Sequence, residues 1–505
     1  MKGSQEDISF EWFRGKRVTV MGLGVNQGGL GVSRWLLRRG ARLTVTDLKS
    51  RSELSASVAG LLSAYRQALR SNSVGRVYRP KFVLGRHDES DFTDTDLVIR
   101  NPAVPDGNPF LAAAKRAGVR VETDMAIFFL LCPVPILGIS GTKGKSTVTS
   151  LVGEIMKRHD RRTVVAGNIR RSPLDDLDRL VRSATRKGKP VPVVLELSSW
   201  HLEGLERHRV SPHVAVLTNI LEDHLNRYRG MAGYARAKSL IVAFQHDGDF
   251  AVLNGDDQRV SRIGLGRRSA AMPFGGQRFM FSVRPQKGDG CFVRSGMITL
   301  RESGVERPVL PVSEIRLVGE HNLSNVLAAC AAARKFGVPI RTIAAAVRSF
   351  RGVPGRLETV AVLDGVRYVN DTTATMPDAS IAAMRAMQRK GAKTIILAGG
   401  ADKKLRFGDW GRAAARMVSD AVMLDGTATP KMMRSLRSAG FSGTVTVVSS
   451  MAEAVRLSAG LAGAGDTVLL SPGCASFGLF VNEFDRGDQF SAEVKNLSRK
   501  RSRRR

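Results

Sequence analysis

At 505 residues the chain exceeds what one hydrophobic core usually serves, so roughly two to four domains are expected. Hydrophobic residues at 43% and aromatics at 6% fit an α/β protein, and a polar, acidic start from Met1 to Phe10 with no apolar run of about eighteen residues argues against a signal segment or membrane span and predicts a cytoplasmic protein. Cys132, Cys291, Cys330 and Cys474 are too scattered for a zinc site or a disulfide framework, and the net charge of +32 leaves three readings open: contact with nucleic acid or an anionic surface, steering of phosphate-rich substrates, or an arginine-rich solvated surface.

In chain order, residues 17–21 (Arg-Val-Thr-Val-Met) read as a strand leading into the glycine loop Gly22-Leu-Gly24-Val25-Asn26-Gln-Gly28 and a helix over 32–38. A second strand at 42–46 ends in Asp47, about two dozen residues on, where a dinucleotide-type fold places an acid against a ribose or base. This fits NAD, FAD or a uridine nucleotide equally. Residues 52–80 read as a helix and a basic connector, and 81–85 and 96–99 as strands. Arg100-Asn-Pro-Ala-Val-Pro105 is a rigid loop at a strand end, 119–121 closes the first domain, and Cys132-Pro-Val-Pro135 is a linker.

The next stretch carries the strongest signal. An apolar strand at 134–137 precedes Gly138-Ile-Ser-Gly141-Thr142-Lys143-Gly144-Lys145-Ser146-Thr147, and helical spacing resumes over 148–156. In a strand, glycine loop, helix arrangement the backbone N–H groups cradle phosphate oxygens, Lys145 reaches the outer phosphates and Ser146 holds magnesium. The first glycine of the usual motif would fall on Ile139, so the loop is a variant. Asn168 ends a strand at 163–167. Glu196 ends an apolar strand over 191–195, the place for a magnesium ligand, and His201 follows. A strand at 214–218 leads to Asn219, Glu222, Asp223 and His224, which suggest metal or catalytic roles. Lys238 lies on a helix, where a lysine is solvated by default. Residues 256–316 are strand-like, and Asn322 and Asn325 sit at i and i+3 on one face of an alanine-rich helix.

Residues 350–356 (Phe-Arg-Gly-Val-Pro-Gly-Arg) have the composition of an interdomain hinge. A third α/β unit follows, with strands at 366–369, 394–398 and 467–470 ending in Asn370-Asp371, Gly399-Gly-Ala-Asp-Lys403 and Ser471-Pro-Gly-Cys-Ala-Ser476. The last segment, 495–505, holds seven positive charges and is expected to be a disordered basic tail. No aromatic residues interleave with the basic ones as single-strand binding would want, which favours a solvated surface over a nucleic-acid site.

Together these pieces resemble the Mur ligase family over nearly the whole chain. The resemblance rests on Gly141 to Thr147, on Glu196-Leu-Ser-Ser199, on Asn219 with Glu222-Asp-His224 and Arg227-Tyr228, on Gly319 with His321-Asn322 and Asn325, and on Asn370-Asp371. Residues 470–477 with Arg486-Gly-Asp-Gln-Phe490 resemble the members that add glutamate to UDP-N-acetylmuramoyl-L-alanine in peptidoglycan precursor synthesis. The family resemblance implies three α/β domains: a Rossmann-like uridine-binding domain (1–133), a central P-loop ATPase-type domain (134–349) and a Rossmann-like glutamate-binding domain (350–494). It implies a monomeric cytoplasmic enzyme using ATP and two magnesium ions through an acyl phosphate. Gly141 to Thr147 with Asn322, Asn325 and Asp371 would bind ATP; Ser146 and Glu196 would hold one magnesium and His224 the other, supported by a CO2-derived carbamate on Lys238. Lys145, His224, Lys238 and Arg356 are the catalytic set, Arg356 acting when the domains close. Gly24, Val25, Asn26, Asp47 and Lys49 would meet the uridine nucleotide, and Asn168 and His201 its pyrophosphate and muramoyl part, although position 201 is usually glutamine.

The glutamate pocket is expected from Thr375, Lys403, Ser476 and Phe477. The pattern Asn-Asp-Ser-Lys-Ala-Thr appears here as Asn370-Asp-Thr-Thr373-Ala-Thr375, so a lysine that meets a glutamate carboxylate is replaced by Thr373. Lys404 or Arg406 would have to supply the missing cation, and the enantiomer of glutamate stays open. The reading from another class is a basic nucleic-acid-binding P-loop ATPase, which predicts hydrolysis stimulated by DNA or RNA.

Overall fold

A computed structural model describes the chain apart from residues 1–7, 25–27, 72–75, 103, 106, 169–171, 186–189, 223–226, 229, 266–273, 318, 403–404 and 503–505, and the side chains of 500–502. The chain divides into two compact units, Met1–Phe350 and Arg351–Arg505.

In the first unit β1 (Arg17–Met21), β2 (Arg42–Asp47), β3 (Lys81–Leu84), β4 (Leu97–Arg100) and β5 (Arg120–Thr123) form an all-parallel sheet in the order β3-β2-β1-β4-β5. The order reverses between β1 and β4, where the loops beyond both strands open a crevice. A second sheet is built from β6 (Ile136–Ser140), β7 (Val164–Gly167), β8 (Val193–Glu196), β9 (Val214–Leu217), β10 (Phe250–Asn254), β11 (Gln277–Ser282), β12 (Gly290–Arg294), β13 (Met297–Glu302) and β14 (Val305–Pro311). Its order is β14-β13-β12-β11-β10-β9-β6-β8-β7, parallel except that β13 runs antiparallel to β12 and β14. The strands β6, β8 and β9 are buried end to end, the continuous apolar reading of parallel strands covered on both faces. The sequence places β6 over 134–137. Pro135 has no N–H to give to a ladder, and pairing begins only at Ile136.

The predicted boundary at 133/134 falls between the two sheets, inside the first compact unit. One apolar cluster runs from Val18 and Leu37 of the first sheet layer to Leu195 and Leu217 of the second. Arg34 meets Asp175 at 3.0 Å, and an added Cβ on Gly31 would stand 2.5 Å from the Cβ of Ser172. Glu122 of β5, 1% exposed, takes Arg120 at 2.8 Å, His208 at 2.9 Å and Arg207. Burial alone would raise the Glu122 carboxyl pKa, but His208, Arg207 and Arg120 hold it below the usual value.

The second unit holds β15 (Glu358–Leu363), β16 (Val366–Asn370), β17 (Thr394–Ala398), β18 (Asp420–Leu424), β19 (Val445–Val448) and β20 (Thr467–Leu470) in the order β15-β16-β20-β17-β18-β19, parallel except for β15. Alternate residues of β17 serve opposite faces: Ile396 and Ala398 join one apolar cluster, Ile395 and Leu397 the other. The helix Glu483–Ser502 continues through 495–502, so most of the segment expected to be a disordered tail is helical. The sequence pattern did not distinguish β10, β15, β18 or β19. Among the described residues no helix is long and apolar enough to cross a membrane.

Candidate active site

The loop after β6 is shaped by contacts that leave no room for side chains. At Gly141, φ is 148° and an added Cβ would lie 1.8 Å from Thr218 Oγ1; at Gly144, φ is 84° and an added Cβ would lie 2.2 Å from Asn325 Oδ1. Ile139, where the usual motif has its first glycine, is a buried residue of β6. Thr218 and Asn219, just beyond β9, buttress the turn: Asn219 O accepts from Thr142 N (2.9 Å), Asn219 Oδ1 from Lys143 N (2.8 Å), and Thr218 Oγ1 donates to Lys143 O (2.7 Å). The helix Lys145–His159 starts directly afterwards, with buried Ser146 and half-buried Thr147 in its first turn. Lys145 Nζ donates to Gly141 O at 2.9 Å and Thr142 O at 3.0 Å, lying across its own loop beside the helix N–H groups. Asn322 and Asn325 do share a face of the helix Glu320–Lys335, Asn325 Nδ2 donating to Asn322 Oδ1 at 3.4 Å.

Glu196 ends β8 at 1% exposure. Its Oε1 accepts from Asn168 Nδ2 at 2.9 Å, whereas Oε2 is buried without a hydrogen-bond partner among the described residues. Such an orphaned oxygen costs about 1–3 kcal/mol or more. With Ser146 it suits Mg2+, which takes few protein oxygens and keeps several waters. Lys238 is not the solvated lysine its helix position suggests: it is 2% exposed, with Nζ 4.7 Å from the Tyr234 ring centroid, and Thr142 Oγ1 donates to Tyr234 OH at 3.3 Å. Tyr234 therefore links the phosphate loop to Lys238, a role not read from the sequence although the two stand at i and i+4. His224 lies outside the described residues.

At the first sheet, the loop after β1 closes on an acid. Gly24 N donates to Asp47 Oδ2 and Lys49 N to Asp47 Oδ1, both at 3.0 Å. The helix begins at Gly28, earlier than expected, because Gly29 packs against the loop where an added Cβ would stand 2.1 Å from Gly22 O. Gly22, Gly29, Arg100, Asn101 and Asp124 line a small cavity at the switch point. Val25 and Asn26 lie outside the described residues. His201 caps its own helix, accepting from Ser198 N at Nδ1 (3.3 Å) while its own N–H donates to Ser198 Oγ (3.2 Å). Burial lowers the His201 pKa against the pull of Asp124 and Glu196, and the Asp124 carboxyl is pushed up by its own burial. A neutral His201 with Nδ1 accepting carries its proton on Nε2.

In the second unit, loops after the adjacent strands β16, β20 and β17 are tied together. Ser471 Oγ donates to Asp371 Oδ2 (2.9 Å), Gly473 N to Ala374 O (2.8 Å), and Ala401 N to Ala475 O (2.9 Å). Thr375 is half-buried, Ser476 buried and Phe477 exposed. Lys403 and Lys404 lie outside the described residues, and Arg406 is exposed. Thr373 Oγ1 donates to Gly355 O at 3.0 Å and its N–H to the same oxygen at 3.1 Å, so this residue is spent on the chain beside Arg356. Burial raises the Asp371 pKa to about 7 despite hydrogen bonds from Ser471 Oγ and Leu357 N and the nearby Arg356.

A strand-end phosphate loop with a buried, half-satisfied carboxylate and a sequestered lysine defines an ATP-using enzyme of the P-loop type, and the comparisons with known proteins agree. Residues 139–333 match the Mur ligase middle domain and 355–474 the Mur ligase glutamate ligase domain. The chain belongs to the Mur ligase family, the ATP-dependent amide-bond ligases of peptidoglycan precursor synthesis. It is 42% identical to the UDP-N-acetylmuramoylalanine–D-glutamate ligase of a Roseiflexus species, covering 96% of this chain and 99% of the relative. It is 36% identical to the enzyme of that name from Symbiobacterium thermophilum, covering 96% and 98%. In fold it is similar to the UDP-N-acetylmuramate–alanine ligase of Thermotoga maritima (TM-score 0.57, 19% identity, covering 95% of this chain and 100% of the other). It is likewise similar to MurF of Acinetobacter baumannii (TM-score 0.53, 16% identity, covering 90% and 92%).

Proposed function

We propose that the chain joins D-glutamate to UDP-N-acetylmuramoyl-L-alanine in the cytoplasm, as a monomer, using ATP to convert the substrate carboxylate into an acyl phosphate that the amine of glutamate then attacks. What carries the reading is the chain of contacts at the ends of β6, β8 and β9, from Lys145 through Thr142 and Tyr234 to Lys238, with the unengaged Glu196 oxygen on the neighbouring strand. The shared name of relatives that match nearly the full chain supports D-glutamate as the amino acid.

In this reading the loop N–H groups and Lys145 hold the phosphates and stabilise charge on the transferring group. Ser146 and Glu196 would hold a magnesium ion, and His224 with a carbamate on Lys238 a second; bound there, the ions would supply neutralisation of the substrates' negative charge. A buried ammonium is expensive, and conversion of Lys238 to a carbamate gives that position an anion suited to a metal. Gly24, Asp47 and Lys49 take the uridine nucleotide, Asn168 and His201 its inner part, His201 as an Nε2 donor. Thr375, Lys403, Ser476 and Phe477 take glutamate.

The test is phosphate release from ATP with UDP-N-acetylmuramoyl-L-alanine and D-glutamate, L-glutamate or neither. Release dependent on D-glutamate is expected; dependence on L-glutamate alone reassigns the enantiomer, and stimulation by DNA or RNA with neither amino acid overturns the ligase. Lys238→Ala should lose activity and regain part of it with formate or acetate, and full activity in that variant would remove the carbamate.

A further inference from the structure

Arg486 lies in the first turn of the helix Glu483–Ser502 at 0% exposure. Among the described residues its hydrogen bonds go to neutral oxygens: Nε donates to Thr372 Oγ1 (3.2 Å), Nη2 to Thr372 O (2.9 Å) and Nη1 to Cys474 O (3.4 Å). One planar fork thus bridges the loop after β16 to the loop after β20. The helix start is pressed onto the same place, since Thr372 Oγ1 donates to Glu483 O (2.5 Å), Asn370 Nδ2 to Gly487 O (3.1 Å), and an added Cβ on Gly487 would stand 2.5 Å from Thr372 Cγ2. Burial lowers the Arg486 pKa to about 10. A guanidinium buried on neutral acceptors is costlier than an apolar side chain of its volume, so its presence calls for a geometric reason.

We propose that Arg486 is the positioning residue of the amino-acid pocket, setting the gap between residues 372–375 and 474–477 and through it the affinity for the incoming amino acid. The inference rests on the reading of Thr375, Ser476 and Phe477 as glutamate contacts: Thr375 follows Thr372 by three positions, and Ser476 follows Cys474 by two. With Thr373 bonded to Gly355 O instead of offering a cation, affinity depends the more on how well these loops are held before glutamate arrives. Lysine at 486 would keep the charge but not the fork, because an ammonium on a flexible stem cannot reproduce the planar, three-nitrogen contact.

The experiment compares wild type and R486K in the full-length chain by steady-state kinetics for all three substrates and by hydrogen exchange. The expected result is a KM for D-glutamate raised about tenfold or more with KM for ATP and for the nucleotide substrate within about twofold, and faster exchange confined to 370–377 and 471–479. A glutamate KM within about twofold of wild type, or all three KM values rising together, overturns the proposal. If R486K melts more than about 10 °C lower, T372V, which removes the hydroxyl that accepts from Nε and donates to Glu483 O while leaving Nη2 on Thr372 O and Nη1 on Cys474 O, takes its place with the same outcomes. Should wild type use neither enantiomer of glutamate, the functional reading fails, while unchanged exchange in the two loops would separately sink the role of Arg486.

Discussion

The loops after β1 and after β6 occupy equivalent places, each at the carboxyl end of a buried parallel strand and at the start of a helix, yet they are closed by opposite charges. After β6 the closing group is a cation, Lys145, and the turn is braced by Thr218 and Asn219 from the neighbouring strand. After β1 it is an anion, Asp47, with both carboxylate oxygens on backbone N–H groups. A carboxylate at the mouth of a glycine loop repels phosphate and favours the hydroxyls and N–H groups of a sugar or base. A lysine beside helix N–H groups attracts phosphate. Topology alone makes both strand ends candidate sites, and the opposite closing charges match the different ligands proposed for them.

The sharpest way to break this contrast is Lys145→Ala, which should lower kcat/KM by about a thousandfold or more in phosphate-release assays while leaving the affinity for the uridine nucleotide unchanged by calorimetry. Next, Glu196→Gln should cut the rate by about one hundredfold and shift the Mg2+ titration to higher concentration; an unshifted titration would remove Glu196 from the metal site. At the other loop, Asp47→Ala should raise KM for the nucleotide substrate by about tenfold with kcat nearly unchanged, the pattern of lost uniform binding. A matching rise in KM for ATP would erase the distinction between the loops.

The smallest effect lies outside both loops. Because burial lifts the Asp371 pKa from 3.8 to about 7, the folded chain holds this proton more tightly than the unfolded chain does. Its contribution to stability is therefore full below about 4, declines as pH rises towards 7 and is flat above. Asp371→Asn should flatten that part of the melting-temperature profile, and an unaltered slope between pH 5 and 7 would show that another group produces it.

Much of the site was legible because its signals are local. Gly141, Gly144 and Lys145 stand within five residues of one another, Glu196 and Asp47 end apolar strands, and Asn322 and Asn325 fall one helical turn apart, so periodicity and turn chemistry suffice to place them. The division between the two compact units, at Phe350 and Arg351, falls where glycine and proline cluster, a signal equally local. By itself the sequence determined the α/β class, the glycine loop after β6 and the polar residues that end the buried strands.

Tertiary structure alone decided the rest, since it depends on residues far apart in the chain. That the first two sheets share one core follows from Arg34 meeting Asp175 and Glu122 meeting His208, pairings between different sheet layers. The burial of Lys238 beneath Tyr234 depends on how its helix meets its neighbours, and the apolar spacing of an isolated helix does not reveal which polar side chain will be enclosed. Thr218 and Lys143 are brought together only by the neighbouring positions of β9 and β6, and Arg486 reaches Thr372 across 114 residues. Local sequence constrains backbone torsions and the periodicity of each element. Which buried polar atoms find partners is settled only when separate elements close on one another, because each such bond needs a second group whose distance along the chain carries no information about its distance in space.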